Sequence, residues 1–313
     1  MKKKVLGVIM ALGIMALTGC GDAGSTTQTS TKSASESQVT VTTTNSSSES
    51  VTEITSNAIA IDTSAADVQA IVTRGVLRVG VKNAVLGFGY EDPLTGEYSG
   101  LEISLAKALA EQLGVDVEYT AVTAATRTEL LDSGDIDCVL ATFTITDERK
   151  KNWDFTTPYY TDYVSVLVED SKGITDLKGL VDATVGVSSG STSAKSLVKA
   201  MIEAGLISGD NFDADSFDPA TWTERIRFQQ YDDYPTISTA LSAGEVDAFC
   251  VDKSILAIYR TEGRSYINAE FAPQEYGIAT TKGSGLSAVA ETLVTTYLSN
   301  GTIDALITEN GLD

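Results

Sequence analysis

An eight-residue pattern occurs twice in this chain, as Leu131-Asp132-Ser133-Gly134-Asp135-Ile136-Asp137-Cys138 and as Leu241-Ser242-Ala243-Gly244-Glu245-Val246-Asp247-Ala248. Each copy ends a helical segment at a glycine, which is typical of helix C-caps, and opens an apolar run that is typical of a buried strand. Two helix–glycine–strand units can match by coincidence, because this arrangement is common. By itself, the repeat predicts two similar α/β lobes and nothing about function.

The segments around the two copies alternate between strand and helix patterns. The apolar periodicity predicts strands at 76–81, 115–122, 136–143, 159–168, 184–187, 226–231 and 246–251, and helices at 101–113, 127–132, 193–204 and 237–243. Such alternation is typical of mixed, mainly parallel sheets flanked by helices. Small ligands bind in the clefts between lobes of this kind, at strand carboxyl ends and helix amino ends.

Composition limits the possible functions. The chain has 313 residues, 42% of them hydrophobic and 21% charged, which fits about two soluble globular domains. With 43 acidic and 22 basic residues it repels polyphosphate, so we expect no nucleic-acid partner. The chain contains no histidine, which excludes Ser-His-Asp and Cys-His catalysis and histidine-ligated zinc. We expect neither a metal nor another cofactor.

The amino terminus has the pattern of an export signal. Three lysines follow Met1, and residues 5–17 are apolar, a run too short to span a bilayer but suited to a signal peptide. The next residues, Leu17-Thr18-Gly19-Cys20, resemble the lipobox of bacterial lipoproteins. That resemblance implies cleavage before Cys20 and lipidation of its sulfur. An ordinary signal peptide with a chance cysteine is the alternative.

More than half of residues 21–57 are Ser or Thr, and a segment so poor in apolar residues is typical of a hydrated tether. We therefore predict a signal peptide at 1–19, a lipidated cysteine and tether at 20–63, lobe I at 64–162 plus 276–313, and lobe II at 163–275. Cys138 and Cys250 lie in apolar runs that suit buried strands, and their spacing leaves open whether they form a disulfide.

Five segments, at 80–83, 87–90, 141–151, 154–160 and 246–254, resemble the family 3 solute-binding proteins of ABC transporters, and most closely the aspartate/glutamate-binding branch. The resemblance runs in order from Val76 to the carboxyl end. It implies a two-lobed periplasmic-binding-protein type II fold with two crossover strands, an amino-acid ligand, an ABC permease as partner and a monomer. Residues 207–224 are longer than the usual connection in this family, and we assign them no function.

Arg149 is the first candidate binding residue, because a guanidinium can hold both oxygens of a carboxylate and nearby threonines offer hydroxyls. The resemblance implies that Arg149 binds the ligand α-carboxylate, with Thr144 close by and Thr142 nearer the ammonium. From the residues alone, Arg149 could instead belong to a solvated cluster with Lys150 and Lys151.

Residues 189–193 lie between a strand and a helix, where free backbone N–H groups favour an anion, although a simple N-cap has the same pattern. The resemblance implies that Gly190, Ser191 and Thr192 close over the α-carboxylate. It also makes Asp252, at the end of a buried strand, the acceptor for the α-ammonium. Lys253 is the alternative partner of Asp252.

Lys82 and Arg127 could be ordinary surface cations. The resemblance to the acidic branch of the family implies that both meet the ligand's side-chain carboxylate, and that Tyr276 adds a hydroxyl. Phe88 and Tyr90 could either wall the pocket or belong to the core.

We therefore predict a lipid-anchored extracytoplasmic receptor for glutamate or aspartate. The alternatives are a binder of a neutral polar amino acid, such as cysteine or glutamine, or an enzyme of the cyclohexadienyl dehydratase type. We predict no enzyme, because Asp252 and Glu148 are better explained by binding than as a general acid.

Overall fold

The computed structural model describes residue 59 and residues 61–313. The predicted signal peptide, Cys20 and nearly all of the predicted tether lie outside these residues. The helices are α1 (Ala66–Arg74), α2 (Leu101–Leu113), α3 (Thr126–Ser133), α4 (Ser193–Glu203), α5 (Tyr234–Ala243), α6 (Lys253–Leu256), α7 (Gly285–Ser299) and α8 (Thr302–Glu309). The strands are β1 (Val76–Val81), β2 (Ala84–Val85), β3 (Gly89–Glu91), β4 (Tyr98–Ser99), β5 (Asp116–Ala121), β6 (Cys138–Leu140), β7 (Trp153–Phe155), β8 (Tyr160–Glu169), β9 (Thr184–Ser188), β10 (Arg227–Tyr231), β11 (Ala248–Asp252), β12 (Arg264–Tyr266), β13 (Phe271–Tyr276) and β14 (Ala279–Thr281).

The first lobe is built on a five-stranded sheet in the order β5-β1-β6-β14-β7. β1 runs parallel to both β5 and β6, and β14 runs antiparallel to both β6 and β7. Helices α1, α2, α3, α7 and α8 pack on this sheet or on one another. A small three-stranded sheet, β2-β3-β4, follows β1 directly. The carboxyl ends of β1 and β6 therefore lie side by side at one edge of the lobe.

The second lobe is built on a six-stranded sheet in the order β10-β9-β11-β8-β12, with β13 also paired to β8. β9 runs parallel to β10 and β11, whereas β8 is antiparallel to β11, β12 and β13. Helices α4, α5 and α6 pack on this sheet. Its buried side chains, such as Val166, Val185 and Leu197, form a hydrophobic core of this lobe.

The chain crosses between the lobes twice, from β7 to β8 and from β13 back to β14. The crossing strands β8 and β13 pair with each other from Tyr160↔Tyr276 onward. Because the chain enters and returns in opposite directions, these strands and β14 add antiparallel pairs to both sheets. The sheets are mixed as predicted but not mainly parallel, because two of the four pairings in the first sheet and three of the five in the second are antiparallel.

The predicted strand at 76–81 has the same bounds in the structure, and the predicted helix at 101–113 is α2. The strand predicted at 136–143 is shorter, because only residues 138–140 pair with β1 and the chain then turns into the cleft. Cys138 and Cys250 are both buried and free, each in a different sheet. None of the helices in the described part of the chain is long and apolar enough to cross a membrane.

Candidate functional site

The candidate site is the cleft where the two lobes meet. Arg149 of the first lobe donates from Nη2 to the carbonyl of Gly190 in the second lobe at 3.1 Å, and Glu148 pairs with Lys195 at 3.2 Å. A cavity of about 740 Å³ opens here and is lined from both lobes, with Arg149, Thr144 and Thr192 among its walls. The structure is therefore a closed arrangement of the lobes.

Arg149 follows the β6 strand end in a short 3₁₀ turn, Arg149–Lys151. Its Nη1 donates to the carbonyl of Thr144 at 2.7 Å, and its guanidinium lies 4.6 Å from the centre of the Phe143 ring. Lys150 and Lys151 of the same turn are exposed, whereas Arg149 packs on Phe143 and bonds two backbone carbonyls, so the three cations do not form a solvated cluster. The guanidinium of Arg149 is held at the cavity wall, where its remaining N–H donors can bind a carboxylate.

Thr142 comes two residues after β6 and has a φ of 45°, a left-handed conformation that is rare outside glycine. Its amide donates to Oε1 of Glu102 at 2.6 Å, and its carbonyl accepts from Nη1 of Arg127 at 3.2 Å. The side chains of Glu102 and Arg127 thus hold the backbone of Thr142 in a strained turn. The Thr142 hydroxyl is buried and left without a hydrogen-bond partner among the described residues.

Arg127 opens α3 and is only 3% exposed, so it is not a surface cation. Its guanidinium carbon lies 3.9 Å from the centre of the Phe143 ring, and Nη1 donates to the carbonyl of Ala141 at 2.9 Å. Burial lowers the pKa of Arg127. Phe143 therefore contacts both Arg127 and Arg149, and brings two guanidinium groups into one place.

Lys82 follows β1 directly and is 4% exposed, which also excludes a surface role. Its ammonium makes no hydrogen bond or ion pair with the residues that the structure describes, and lies over the ring of Tyr234 in the second lobe. Burial, reinforced by the charge of Arg127, lowers the pKa of Lys82 to about 7. A lysine so poorly solvated gains from any anion that enters the cleft.

Asp252 ends β11 and accepts a short hydrogen bond from the hydroxyl of Tyr276. Burial raises the pKa of Asp252 to about 7, and the charge of Asp162 acts in the same direction. The neighbouring Lys253 pairs with Glu270, so it is not the partner of Asp252. The hydroxyl of Tyr276 is directed at Asp252, so this tyrosine orients a cleft carboxylate.

The turn at 189–192 leads into α4. Gly190 has a φ of 74°, and a Cβ there would lie 2.8 Å from the carbonyl oxygen of Ala124 in the first lobe, so a glycine permits this close approach. Thr192 precedes α4 without capping it, because its hydroxyl donates to Gln274 at 2.7 Å. Ser191 lines the cavity. The turn therefore faces the first lobe and does not act as a simple N-cap.

Phe88 is fully buried against Tyr160 and Tyr276, and belongs to the core below the cleft. Tyr90 lies in β3 and is paired with Ala84 and Ser99. Residues 207–224 form no helix or strand, and Phe217 from this segment lines the cavity.

Sequence reasoning missed two polar residues at the site, Glu102 and Gln274. Glu102 is fully buried in the first turn of α2, where a carboxylate between Leu101 and Ile103 was the available signal. It accepts from the hydroxyl of Tyr159 as well as from Thr142. Burial raises the pKa of Glu102. No group of three or more histidine, cysteine or acidic side chains in the described part of the chain is arranged to hold a metal ion.

Comparison with known proteins agrees with this architecture. Residues 77–309 match the family model of bacterial extracellular solute-binding proteins, family 3. The chain is 31% identical over 283 residues to the glutamine-binding protein of Geobacillus stearothermophilus, covering 88% of this chain and 91% of the relative. It is 29% identical to the glutamate-binding protein GluB of Corynebacterium glutamicum, covering 77% of this chain and 80% of that protein.

Among solved structures, an ancestral amino-acid-binding protein that is a precursor of cyclohexadienyl dehydratase is similar, with a TM-score of 0.63 and 28% identity. The match covers 77% of this chain and 97% of that one. The extent of the family match and the shared two-lobed fold lead to one conclusion. This chain belongs to the bacterial extracellular solute-binding proteins of family 3.

Proposed function

We propose that this solute-binding protein captures an acidic amino acid, glutamate or aspartate, and delivers it to an ABC permease. One observation carries the proposal. Three cations lie close enough to lower one another's pKa: Arg149, which lines the cavity, and the buried Lys82 and Arg127. None of them forms an ion pair with a carboxylate of the described residues. Buried charges are normally paired, because an unpaired one loses its hydration without compensation.

A dicarboxylic amino acid has the charges that such a cleft needs. Its α-carboxylate would take the free donors of Arg149 and the backbone amides of the turn at Ser191 and Thr192. Its α-ammonium would pair with Asp252, with the hydroxyls of Thr142 and Thr144 nearby. Its second carboxylate would meet Lys82 and Arg127, and would raise the depressed pKa of the lysine by supplying the missing counter-charge.

Glutamine is the second candidate, because the Geobacillus relative at 31% identity is a glutamine-binding protein. A side-chain amide can accept a hydrogen bond from Lys82 or Arg127, but it brings no charge. Two buried cations would then share one neutral group. We therefore favour the acid over the amide on electrostatic grounds.

An enzymatic role has weaker support. Asp252, with its pKa near 7, is the group that a dehydratase would use as a general acid, and one solved neighbour is a dehydratase precursor. That neighbour is itself described as an amino-acid-binding protein. In this proposal Asp252 is the partner of the ligand ammonium group, so we propose binding without turnover.

We further propose that the mature protein is a monomer held at the outer face of the membrane by a lipid on Cys20, with residues 21–63 as a tether. Residues 1–19 would be the signal peptide that directs export. Closure of the two lobes on the ligand would then be the signal that the permease recognises, since a ligand that contacts both lobes favours the closed form.

Calorimetric titration of glutamate, aspartate, glutamine and asparagine tests the ligand class. We expect the wild-type protein to prefer the acids, and Lys82→Met and Arg127→Met each to weaken the acids by tenfold or more while sparing the amides. Lys107→Met, which removes an exposed charge on α2, is the matched control and should change neither. Wild-type preference for an amide, or an acid preference that survives both cleft substitutions, would contradict the dicarboxylate assignment.

A further inference from the structure

Gln274 lies on the crossover strand β13 and is 3% exposed. Its Nε2 donates to the carbonyl oxygens of Ala272 at 2.8 Å and Pro273 at 3.3 Å. Ala272 has a φ of 50°, and the pairing of β13 with β8 shifts its register at this point. The bulge turns both carbonyls toward the amide nitrogen. The orientation of the amide is thereby fixed, with its oxygen toward the cleft.

That oxygen accepts two hydrogen bonds. The Thr144 hydroxyl of the first lobe donates to Oε1 of Gln274 at 2.8 Å, and the Thr192 hydroxyl of the second lobe donates at 2.7 Å. An amide oxygen can only accept, so both threonines must be the donors. One side chain on the crossover strand therefore holds a hydroxyl from each lobe when the lobes are closed.

A threonine hydroxyl has a single proton. With that proton given to Gln274, Thr144 and Thr192 have only lone pairs left for anything else in the cavity that they line. Lone pairs attract an ammonium N–H and repel a carboxylate oxygen. Arg149, whose donors cannot reverse, is left as the side chain that serves the carboxylate at this end of the cleft.

We propose that Gln274 is a positioning residue that sets the hydrogen-bond polarity of Thr144 and Thr192, so that the cleft selects ligands carrying an α-ammonium group. The inference rests on the proposed function, because it concerns the same site. It adds a reason why an amino acid would bind better than the same acid without its amino group. Removing the acceptor would let both hydroxyls rotate and donate to a carboxylate.

The test compares each amino acid with its deaminated counterpart, namely glutamate with glutarate, by calorimetry. Gln274→Met keeps the length and burial of the side chain but offers no amide acceptor. We expect it to weaken glutamate at least tenfold and to leave glutarate unchanged or tighter, so that the ratio of the two dissociation constants falls at least tenfold. Equal weakening of both ligands, which a purely structural role would give, overturns the proposal, and so does an unchanged ratio.

Thr144→Val and Thr192→Val provide a route that does not depend on the folding of the Gln274 variant. Each removes one hydroxyl whose lone pairs would accept a hydrogen bond from the ligand ammonium, and should therefore lower the preference for glutamate over glutarate. Combined with Gln274→Met, the two valine substitutions should lower it no further than they do together, because all three act through the same hydroxyls. Additive losses would contradict the mechanism.

The outcome is separable from that of the proposed function. If the wild-type protein binds glutamine and not glutamate, the dicarboxylate assignment fails, and the same variants are titrated with glutamine and its deaminated analogue, glutaramate. A retained loss of ammonium preference in Gln274→Met would then support the role of Gln274 with another ligand. An intact preference would overturn it whichever amino acid binds.

Discussion

The ammonium of Lys82 in the first lobe lies 5.4 Å from the centre of the Tyr234 ring in the second lobe. This contact joins the two lobes over a buried lysine that makes no ion pair with the described residues. The cost of withdrawing that charge from water is visible in its pKa of about 7, against an ordinary value of 10.5. Closure and the charge of Lys82 are therefore coupled.

The coupling predicts how pH affects closure without ligand. Arg127 and Arg149 oppose the charge of Lys82, and Glu102 and Asp252 favour it, yet burial dominates and the closed form prefers the neutral amine. The penalty on closure is thus complete below about pH 7 and declines as pH rises toward 10.5. We expect ligand-free Lys82→Met to have a smaller radius of gyration than wild type at pH 7, with the difference shrinking toward pH 9, as measured by small-angle scattering. A difference that grows with pH would contradict the coupling.

Arg149→Ala and Asp252→Ala should weaken the binding of every amino acid strongly and alike, because they remove the proposed partners of the α-carboxylate and the α-ammonium. Each leaves a ligand charge buried and unpaired, a loss on the order of 2–5 kcal/mol. Lys253→Ala is the control, since Lys253 neighbours Asp252 but pairs with Glu270, and it should cost under about 1 kcal/mol. Normal binding by Arg149→Ala in calorimetric titration would show that the pocket is misplaced.

Glu102 should matter more for stability than for ligand choice. Glu102→Ala leaves the buried amide of Thr142 and the hydroxyl of Tyr159 without their acceptor. We expect a loss of about 1–3 kcal/mol in the free energy of unfolding, measured with urea at pH 7. Glu102→Gln keeps an acceptor oxygen and should recover most of it. Equal losses in the two variants would argue that packing, and not the hydrogen bonds, is responsible.

Gly100, directly before α2, has a φ of 127°, and a Cβ there would lie 2.1 Å from the carbonyl oxygen of Phe88. Gly100→Ala should therefore lower the free energy of unfolding by about 2–4 kcal/mol. Gly96→Ala is the matched control, because its φ of 73° is also left-handed but no atom lies within 4 Å of the added Cβ. That change should cost about 1 kcal/mol. Similar values would mean that the backbone at Gly100 relaxes freely.

The proposed lipid anchor has its own test. Cys20→Ala should release the protein from cell membranes into the soluble fraction, as followed by fractionation, without altering ligand affinity. Residues 21–65 separate Cys20 from α1 along the chain, so a change in affinity is not expected. Continued sedimentation with membranes would exclude Cys20 as the anchor.

The sequence allowed strands of both lobes to be predicted where apolar residues occur in runs or at alternate positions. β1 was predicted at its observed bounds because Leu77, Val79 and Val81 all enter the core. The strand at 136–143 was predicted too long, since Ala141 and Phe143 are also buried and apolar. They leave the sheet because Thr142 adopts a left-handed turn held by Glu102 and Arg127, which are distant in sequence.

The site was predicted unevenly for the same reason. Lys82, Arg127, Arg149 and Asp252 could be named from motifs. In the structure their charges act on one another, and of the four Arg149 lines the cavity. Gln274 could not, because nothing in the sequence distinguishes a glutamine in β13 from an ordinary polar residue. Its burial depends on a threonine from each lobe, 130 and 82 residues away along the chain.

The position of β14 inside the first sheet has a consequence for how the molecule is assembled. β14 fills the place between β6 and β7, yet it follows every strand of the second lobe along the chain. During synthesis from the amino end, the edges of β6 and β7 that pair with β14 stay unpaired until residues 160–276 have been made. Those later residues can meanwhile pair among themselves. The lobe whose residues are synthesised first is therefore the last to be completed.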